Sequence, residues 1–523
     1  MIRTKGKRTL IAMCCALTVS ACGGGSTDSS TGTGNVQDSA SNTAGHGQTN
    51  QAPGFTQASG TQQLWEGTNP TAPMKPQVTL DDKGTVVASW IEGISSELIT
   101  SVADANGHWS SASVLTKGSI NSGETYALRS NSSGQRVLVV PKFNTGAGSY
   151  PYAVYFYGPS SGWSDAVPLN RQLAAVSPDA SDIQVTGDGT ALTSVSSYNP
   201  FEKNQPLGPA ELYRLRPNGA QTTGLTTVSM SVLGTPLPSQ QTTVAGAFFA
   251  MPRQDTAAVK NQGYLFWQEA GGGSQPYSSL GVLGAIITSP PLYTTDARGV
   301  AQSVAAGRAT CGTRGVPQAM TSIARTATVI WGDPTPSGTC TLKGTKFDED
   351  HGGQARTDTL GSPDADLSAA KLLMDGAGNA LVLWTETSKN GTVTRYKWSQ
   401  SLAGGEWSAP ADLASTLGLT DDVLTARPAI AMNEAGDTVL AVVTGSSNLL
   451  NHTGKLSYVR FNFKSGWTQK TEIAGGRFFS GFEAGVDINR DGKMVVLYRV
   501  APCFDATGAE SSCTPTSIYA YAL

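Results

Sequence analysis

Residues 375–384 read Asp-Gly-Ala-Gly-Asn-Ala-Leu-Val-Leu-Trp, and this segment predicts a tight turn followed by a buried strand. An aspartate at the first position of a type I turn accepts hydrogen bonds from the turn amides, and a glycine at its end supplies positive φ. The apolar run that follows is long enough for a strand and too short for an independent helix. The segment therefore predicts one β-hairpin.

The same pattern occurs six times along the chain, and each copy can be aligned on one glycine. An Asp, Asn or Thr stands three residues before each glycine, and aliphatic residues stand six before it and three after it. The aligned glycines are Gly84, Gly134, Gly189, Gly378, Gly436 and Gly492. A second landmark, Trp followed by Ser or Thr, lies 25 to 31 residues after four of them and predicts a further strand. These pairs are Trp109-Ser110, Trp163-Ser164, Trp407-Ser408 and Trp467-Thr468.

Four strands per unit at a period of about 55 residues is the pattern of a β-propeller blade. The glycine intervals are 50, 55, 189, 58 and 56 residues, and 189 equals three steps of 63. Two similar strands, Gly263–Trp267 and Thr326–Trp331, lie inside the long interval. We therefore predict an all-β fold: a single β-propeller of eight four-stranded blades. Seven blades is the alternative, if one of these two hairpins is an insertion.

The two ends of the chain are predicted to meet in one sheet. The last unit has a third strand at about 517–523, and the chain stops before a fourth. A strand without a unit of its own lies around Leu64-Trp65-Glu66. We expect this N-terminal strand to complete the last blade, which would leave no open edge.

The composition suits a β-rich extracytoplasmic protein. Only 14% of the 523 residues are charged, 39% are hydrophobic and 60 are glycine. The net charge of −3 provides no basic face, so a nucleic-acid partner is not expected.

The N-terminus has the three parts of an export signal. A basic segment, 3–8, precedes the apolar segment 10–19, which is too short to span a bilayer. The next residues, Val19-Ser20-Ala21-Cys22, resemble the lipobox of bacterial lipoproteins. That resemblance implies that Cys22 is lipidated and anchors the protein to a membrane. In such lipoproteins an aspartate after the cysteine resembles an inner-membrane retention signal, and Gly23 stands at that position. The resemblance therefore implies the outer membrane, either on its periplasmic side or at the cell surface. An ordinary secretory signal cut near Ala21 is the alternative.

The predicted domains are a lipoprotein signal peptide and lipobox at 1–22, a disordered tether at 23–61 and the propeller at 62–523. The tether is Gly-, Ser- and Thr-rich and too poor in aliphatic residues to fold. Four cysteines follow it in two sequence-local pairs, which predict the disulfides Cys311–Cys340 and Cys503–Cys513 in an oxidising compartment. A zinc site is the alternative, but it needs Cys-x-x-Cys spacings that the sequence lacks.

The candidate binding surface is the propeller face that carries the long loops, because long loops on a rigid scaffold usually carry function. Aromatic rings stack on sugars and anchor interfaces, although a place in the blade core is the alternative for each of them. The candidate contacts are Tyr150, Tyr152, Tyr198 and Phe201. We expect no cofactor and no metal. The segment Asp487-x-Asn489-x-Asp491-Gly492 begins like a calcium loop, but Tyr498 stands at its twelfth position, so we interpret it as a turn.

The repeat over residues 62–523 resembles the degenerate blades of sialidase-like and related bacterial propellers. The Ser-x-Asp-x-Gly-x-Thr-Trp motif of those enzymes is absent, and nothing in the sequence fixes an arginine triad, so no catalytic residue is carried over. The favoured hypothesis is a non-enzymatic module that binds a glycan or an envelope protein through its loop-rich face. The alternative is a sialidase-like glycoside hydrolase or lyase with carboxylates at the channel mouth.

Overall fold

The computed structural model describes residues 56–67, 75–92, 97–116, 126–141, 152–169, 183–185, 189–196, 210–217, 221–225, 243–250, 262–270, 278–286, 294–295, 302–303, 318–324, 326–334, 340–348, 356–361, 366–387, 394–419, 423–424, 427–445, 453–477, 483–500 and 516–523. All of them belong to one compact unit, Gln51–Leu523. Within these ranges, no helix has the length and apolar character needed to cross a membrane.

The fold is all-β, as predicted, and the described strands form eight antiparallel sheets, which we number in chain order. The strands of sheet 1 are Gln77–Leu80, Val86–Glu92, Glu97–Ala103 and Ser113–Thr116. Those of sheet 2 are Ala127–Ser130, Arg136–Pro141, Tyr152–Gly158, Gly162–Trp163 and Val167–Leu169. Those of sheet 3 are Ile183–Val185, Ala191–Ser196, Ala210–Leu215 and Gln221–Leu225. Those of sheet 4 are Thr243–Ala250, Gln262–Ala270, Ser278–Ile286, Thr294–Thr295 and Gln302–Ser303.

The second half of the chain repeats this arrangement. The strands of sheet 5 are Gln318–Thr321, Thr326–Pro334, Cys340–Asp348 and Arg356–Thr359. Those of sheet 6 are Asp366–Met374, Ala380–Thr387, Thr394–Ser401 and Ala411–Asp412, followed by one helical turn, Leu413–Thr416. Those of sheet 7 are Val423–Leu424, Ala429–Met432, Thr438–Gly445, Thr453–Asn462, Gly466–Trp467, Thr471–Arg477 and the N-terminal Thr56–Gln57. Those of sheet 8 are Ala484–Ile488, Met494–Val500, Thr516–Ala522 and the N-terminal Thr61–Gly67.

The hairpin between the first and second strands follows the predicted turn chemistry. All six aligned glycines have positive φ, from 76° at Gly189 to 89° at Gly378. In sheet 1, Asp81 Oδ1 accepts from the amides of Lys83 at 3.0 Å and Thr85 at 2.8 Å. The two strands predicted inside the long interval are also present, as the second strands of sheets 4 and 5.

The calcium-like segment is a turn of the same kind, as interpreted from the sequence. Asn489 Oδ1 accepts from the Lys493 amide at 2.9 Å, which is the same turn bond that the other hairpins make. Asp487 points elsewhere: its Oδ2 accepts from the Leu80 amide of sheet 1 at 2.7 Å. This carboxylate therefore links sheet 8 to sheet 1.

The Trp-Ser and Trp-Thr landmarks have a backbone-pairing role. The Ser408 hydroxyl accepts from the Gln400 amide at 3.1 Å, while the Ser408 amide donates to the Gln400 carbonyl at 2.7 Å. Ser110, Ser164 and Thr468 make the same two bonds in sheets 1, 2 and 7. The hydroxyl oxygen therefore accepts the hydrogen bond that a carbonyl of a neighbouring strand would otherwise accept, next to the end of the third strand.

The first strand of sheet 7 is taken as Ala429–Met432, which forms the hairpin with Thr438–Gly445. The first strands of the eight sheets contact one another in sequence order, and the first strand of sheet 8 contacts that of sheet 1. Side chains reinforce two of these contacts. Gln77 Oε1 accepts from the Leu128 amide at 2.8 Å while its Nε2 donates to the Tyr126 carbonyl. Gln318 makes the equivalent pair of bonds with residues 370 and 372. Each glutamine thus acts as a substitute peptide group between neighbouring first strands.

The turns are joined by a second set of bonds at the other end of the first strands. Asn433 Nδ2 donates to the Asn489 carbonyl at 2.8 Å, and Asn489 Nδ2 donates to the Asp81 carbonyl at 3.4 Å. The Asp81 carboxylate in turn pairs with the fully buried Arg136, with Nη2 and Oδ2 3.2 Å apart. Sheets 7, 8, 1 and 2 are therefore connected through their turn residues.

The core lies between neighbouring sheets. The second strands of sheets 1, 6, 7 and 8 are buried on both faces, and Trp90 and Trp384 within two of them are fully buried. Each is packed among apolar residues of its own sheet and of the sheet before it. This arrangement accounts for second strands that are apolar at nearly every position.

The predicted meeting of the two chain ends is confirmed. Thr61–Gly67 pairs antiparallel with Thr516–Ala522, with Trp65 opposite Ile518 and a register shift between Gln63 and Trp65. The Trp65 ring lies 6.5 Å from that of Trp90, and a Cβ on Gly67 would lie 1.7 Å from the Trp65 ring. The glycine thus leaves room for a tryptophan that packs between sheets 8 and 1.

Gly67→Ala should destabilise the protein by about 1–3 kcal/mol, because the added methyl group collides with the Trp65 ring. The same substitution in a Trp65→Leu background should be less destabilising, because the smaller side chain leaves space. The free energy of unfolding, measured for the four proteins in denaturant titrations, checks this coupling. Strictly additive effects would contradict the packing described for the N-terminal strand.

Ser408→Ala should lower the free energy of unfolding by about 1 kcal/mol, because the Gln400 amide loses its acceptor. Ser408→Thr is the matched control and should retain stability, since Thr468 performs the same role in sheet 7. Thermal unfolding of both variants tests this. Equal losses in the two would exclude the hydroxyl as the cause.

Candidate functional site

A cavity of about 460 Å³ lies among the first strands of sheets 1, 2, 5, 6, 7 and 8. This volume falls within the range of about 300–1,000 Å³ that is typical of small-molecule sites. The cavity reaches the first residues of several of these strands, including Gln77, Gln318 and Ala429. It therefore lies at the end where the first strands begin, opposite the hairpin turns.

We call this the loop end of the domain, because the second strands end there and the third strands begin there. In an antiparallel sheet the second strand returns to the level at which the first one began. The segments 142–151, 197–209 and 501–515 follow second strands in this way. The cavity is thus at the end of the domain that the sequence predicted to carry the binding surface.

The described lining of the cavity is rich in cations. It contains four basic side chains, and its one carboxylate is that of Glu483. The basic residues are Lys75, Arg129, Lys371 and Arg427. Four positive charges and one negative charge leave this lining with a formal charge of +3. Within a partly enclosed site these charges act at a lower effective dielectric than in bulk water, so the cavity favours an anion.

The segment of Lys75 and Pro76 is held against sheet 8 and sheet 2 at the edge of the cavity. The Lys75 amide donates to Glu483 Oε2 at 2.6 Å, and the Tyr126 hydroxyl donates to the Lys75 carbonyl at 2.8 Å. The same hydroxyl lies 2.7 Å from the Ser89 carbonyl. One side of the cavity is therefore fixed by bonds among sheets 8, 1 and 2.

Burial changes the ionisation of the groups around the cavity. It raises the pKa of Tyr396, an effect that the positive charge of Arg427 partly offsets. It raises the pKa of Tyr126 far more, so this hydroxyl remains a proton donor at every physiological pH. Burial also lowers the pKa of Arg499, while Glu483 opposes that change. The cavity thus combines neutral phenols with charged groups.

The residues predicted from the sequence lie mainly outside the described residues. Tyr152 begins a strand of sheet 2 and Cys340 begins a strand of sheet 5, but neither side chain is described. The remaining predicted site residues lie wholly outside the described ranges: Cys22, Tyr150, Tyr198, Phe201, Cys311, Cys503 and Cys513. The disulfides, the lipid anchor and the aromatic contacts therefore stay predictions, as do the boundaries at 22 and 61.

Sequence reasoning missed the charged residues of the cavity, although the repeat contains a signal for three of them. Lys75, Arg427 and Glu483 each stand nine residues before an aligned glycine. This spacing places them just before the first strands, at the loop end.

No protein-family model matches the sequence, and the comparison with curated proteins gives no match. Similar solved structures include the NanB sialidase from Streptococcus pneumoniae, at 12% identity and a TM-score of 0.34, with 89% of this chain and 70% of that one covered. An acylaminoacyl peptidase from Pyrococcus horikoshii has 8% identity and a TM-score of 0.39, with 83% and 58% covered. The six-bladed β-propeller lectin of the fungus Aleuria aurantia, described with a fucose recognition mode, has 11% identity and a TM-score of 0.32, with 77% and 97% covered. At these identities and scores, none of them identifies a relative of this chain.

Proposed function

We propose that this chain is an outer-membrane lipoprotein whose eight-bladed β-propeller binds an acidic glycan in the cavity at the loop end. The propeller is supported by eight antiparallel sheets of four to seven strands whose first strands contact one another in a closed order. The N-terminal strand in sheet 8 further supports it, because strand exchange between the chain ends is a means of closing such a fold.

The membrane anchor rests on the lipobox-like segment that ends at Cys22. Several acyl chains on one residue exceed the marginal anchoring strength of a single chain. The proposed tether would hold the domain away from the bilayer: 33 residues, 23–55, precede the strand Thr56–Gln57, and a flexible chain of that length has a root-mean-square reach of roughly 30 Å. The glycan would therefore be met at the envelope, on the periplasmic side or at the cell surface.

The charge of the cavity lining is the observation that carries the proposed ligand. Arg129 and Arg427 offer planar guanidinium groups, which suit carboxylates and sulfates through paired hydrogen bonds. Tyr396 adds an aromatic ring to the same lining, and such rings pack well against sugars. A cavity of this volume with few converging polar groups is typical of a site for one small ligand or one terminal sugar.

Removing cavity cations should abolish recognition of acidic glycans. Lys371→Met and Arg427→Met should each weaken binding about 10–100-fold, because a charge-assisted hydrogen bond is lost. Lys493→Met is the matched control, since Lys493 is an exposed residue beside the turn of sheet 8, at the opposite end. Binding to an array of uronate-, sialate-, sulfate- and neutral-ended glycans provides the measurement.

The same array distinguishes the binding module from its alternatives. Hydrolysis or elimination of a bound glycan, followed by mass spectrometry, would establish the enzyme in place of the binding module. An array on which the wild-type protein binds nothing would leave an envelope protein as the partner and contradict the glycan proposal.

Cys22→Ala should release the protein from the membrane fraction, because the acceptor of the acyl chains is removed. Cys15→Ala is the control and should remain in the membrane, since the bulky Met13 makes a poor cleavage context for it. Fractionation followed by immunodetection gives the result. Membrane retention of the Cys22 variant would disprove lipidation at this residue.

A further inference from the structure

Lys75 has a backbone conformation that this chain otherwise assigns to glycine. Its φ is +44°, and thirteen glycines account for every other positive φ among the described residues. A side chain in this left-handed region is unfavourable because Cβ approaches the carbonyl oxygen. The conformation is also unexpected because Pro76 follows, and a residue before proline prefers extended backbone.

The surrounding bonds hold Lys75 in this conformation. Glu483 Oε2 accepts from its amide at 2.6 Å, and the buried Tyr126 donates to its carbonyl at 2.8 Å. The next carbonyl, of Pro76, is so close to Gly485 that a Cβ there would lie 2.7 Å from the oxygen. Three neighbouring sheets therefore fix the direction in which the Lys75 side chain leaves the backbone.

A glycine would satisfy this backbone at lower strain, yet a lysine stands at this position. Lys75 is half-buried and lines the cavity, together with Arg129 and Glu483. Strained residues cluster at binding sites, where the strain positions a functional group. The side chain and its strain thus coincide at the edge of the cationic cavity.

We infer that Lys75 is a specificity-determining residue whose ammonium group contacts the anionic group of the ligand, and that Glu483 is the residue that positions it. This inference rests on the proposed function, because it assigns one contact within the same cavity. Glu483 acts on the Lys75 backbone through its acceptor oxygen, so its role does not depend on contact with the ligand.

Lys75→Gly separates binding from folding. The variant should keep or raise the melting temperature, because glycine suits the left-handed backbone, and its binding to acidic glycans on the array should fall at least tenfold. Lys75→Met, which keeps the strain and removes the charge, should lose binding to the same extent. Lys83→Ala is the matched control: Lys83 is exposed at the turn of the same hairpin, and this variant should bind as the wild type does.

The outcomes separate this inference from the proposed function. Full binding by Lys75→Gly, or a lower melting temperature for it, would overturn the role of Lys75 while leaving acidic-glycan binding intact. Wild-type binding to neutral glycans alone would overturn the role of Lys75 and the acidic ligand, but not the binding of a glycan. An array on which the wild type binds nothing would overturn both proposals.

Glu483 variants test the positioning role. Glu483→Ala should weaken binding to acidic glycans several-fold, because the Lys75 amide loses its acceptor. Glu483→Gln keeps an acceptor oxygen and removes the negative charge, so it should bind acidic glycans more tightly than the wild type. Weaker binding by both variants to the same degree would contradict positioning through this hydrogen bond.

Discussion

The pairing of Thr61–Gly67 with Thr516–Ala522 is the interaction on which the arrangement of the other sheets depends. Without it, sheet 8 would expose the backbone groups of its third strand, and the apolar surface shared with sheet 1 would lose Leu64 and Trp65. The first strands of sheets 8 and 1 also contact each other, at the edge of sheet 8 opposite this pairing, so the beginning and the end of the repeat meet there as well. This short ladder thus pairs residues that lie more than 400 positions apart in the sequence.

The two ends of the first strands are stabilised in different ways, and this difference explains where a binding site can form. At the turn end, Asx side chains bond to neighbouring turns, and the Asp81–Arg136 pair is buried among them. The two charges of this buried pair therefore neutralise each other within the fold. At the loop end, Gln77 and Gln318 link neighbouring strands with uncharged amides. Basic residues line the cavity at this end.

The repeat was predictable from the sequence because its signals are local hydrogen bonds. An Asx residue and a glycine three residues later make one turn, and a Trp-Ser pair makes one ladder substitution, so each can be recognised without knowing its neighbours. The cavity was not predictable in the same way. Arg129, Arg427 and Glu483 come together only when sheets 2, 7 and 8 are placed around one axis, and each is an ordinary charged residue in its own segment. The backbone of Lys75 gave no sequence signal, because a lysine before a proline predicts extended chain.

If the chain is anchored at Cys22 as proposed, the short strand Thr56–Gln57 has a mechanical consequence. It pairs with Ala474 and Gly475 at the outer edge of sheet 7, and the Ala58 amide adds one bond to Ile473. A pull transmitted from the bilayer reaches this attachment before it reaches Thr61–Gly67. Detaching this short strand would lengthen the tether by roughly 3.5 Å per freed residue, while the strand pairing of sheet 8 stays intact. Under the proposed anchor, the strand at the outer edge of sheet 7 would detach first and would protect the junction between the two chain ends.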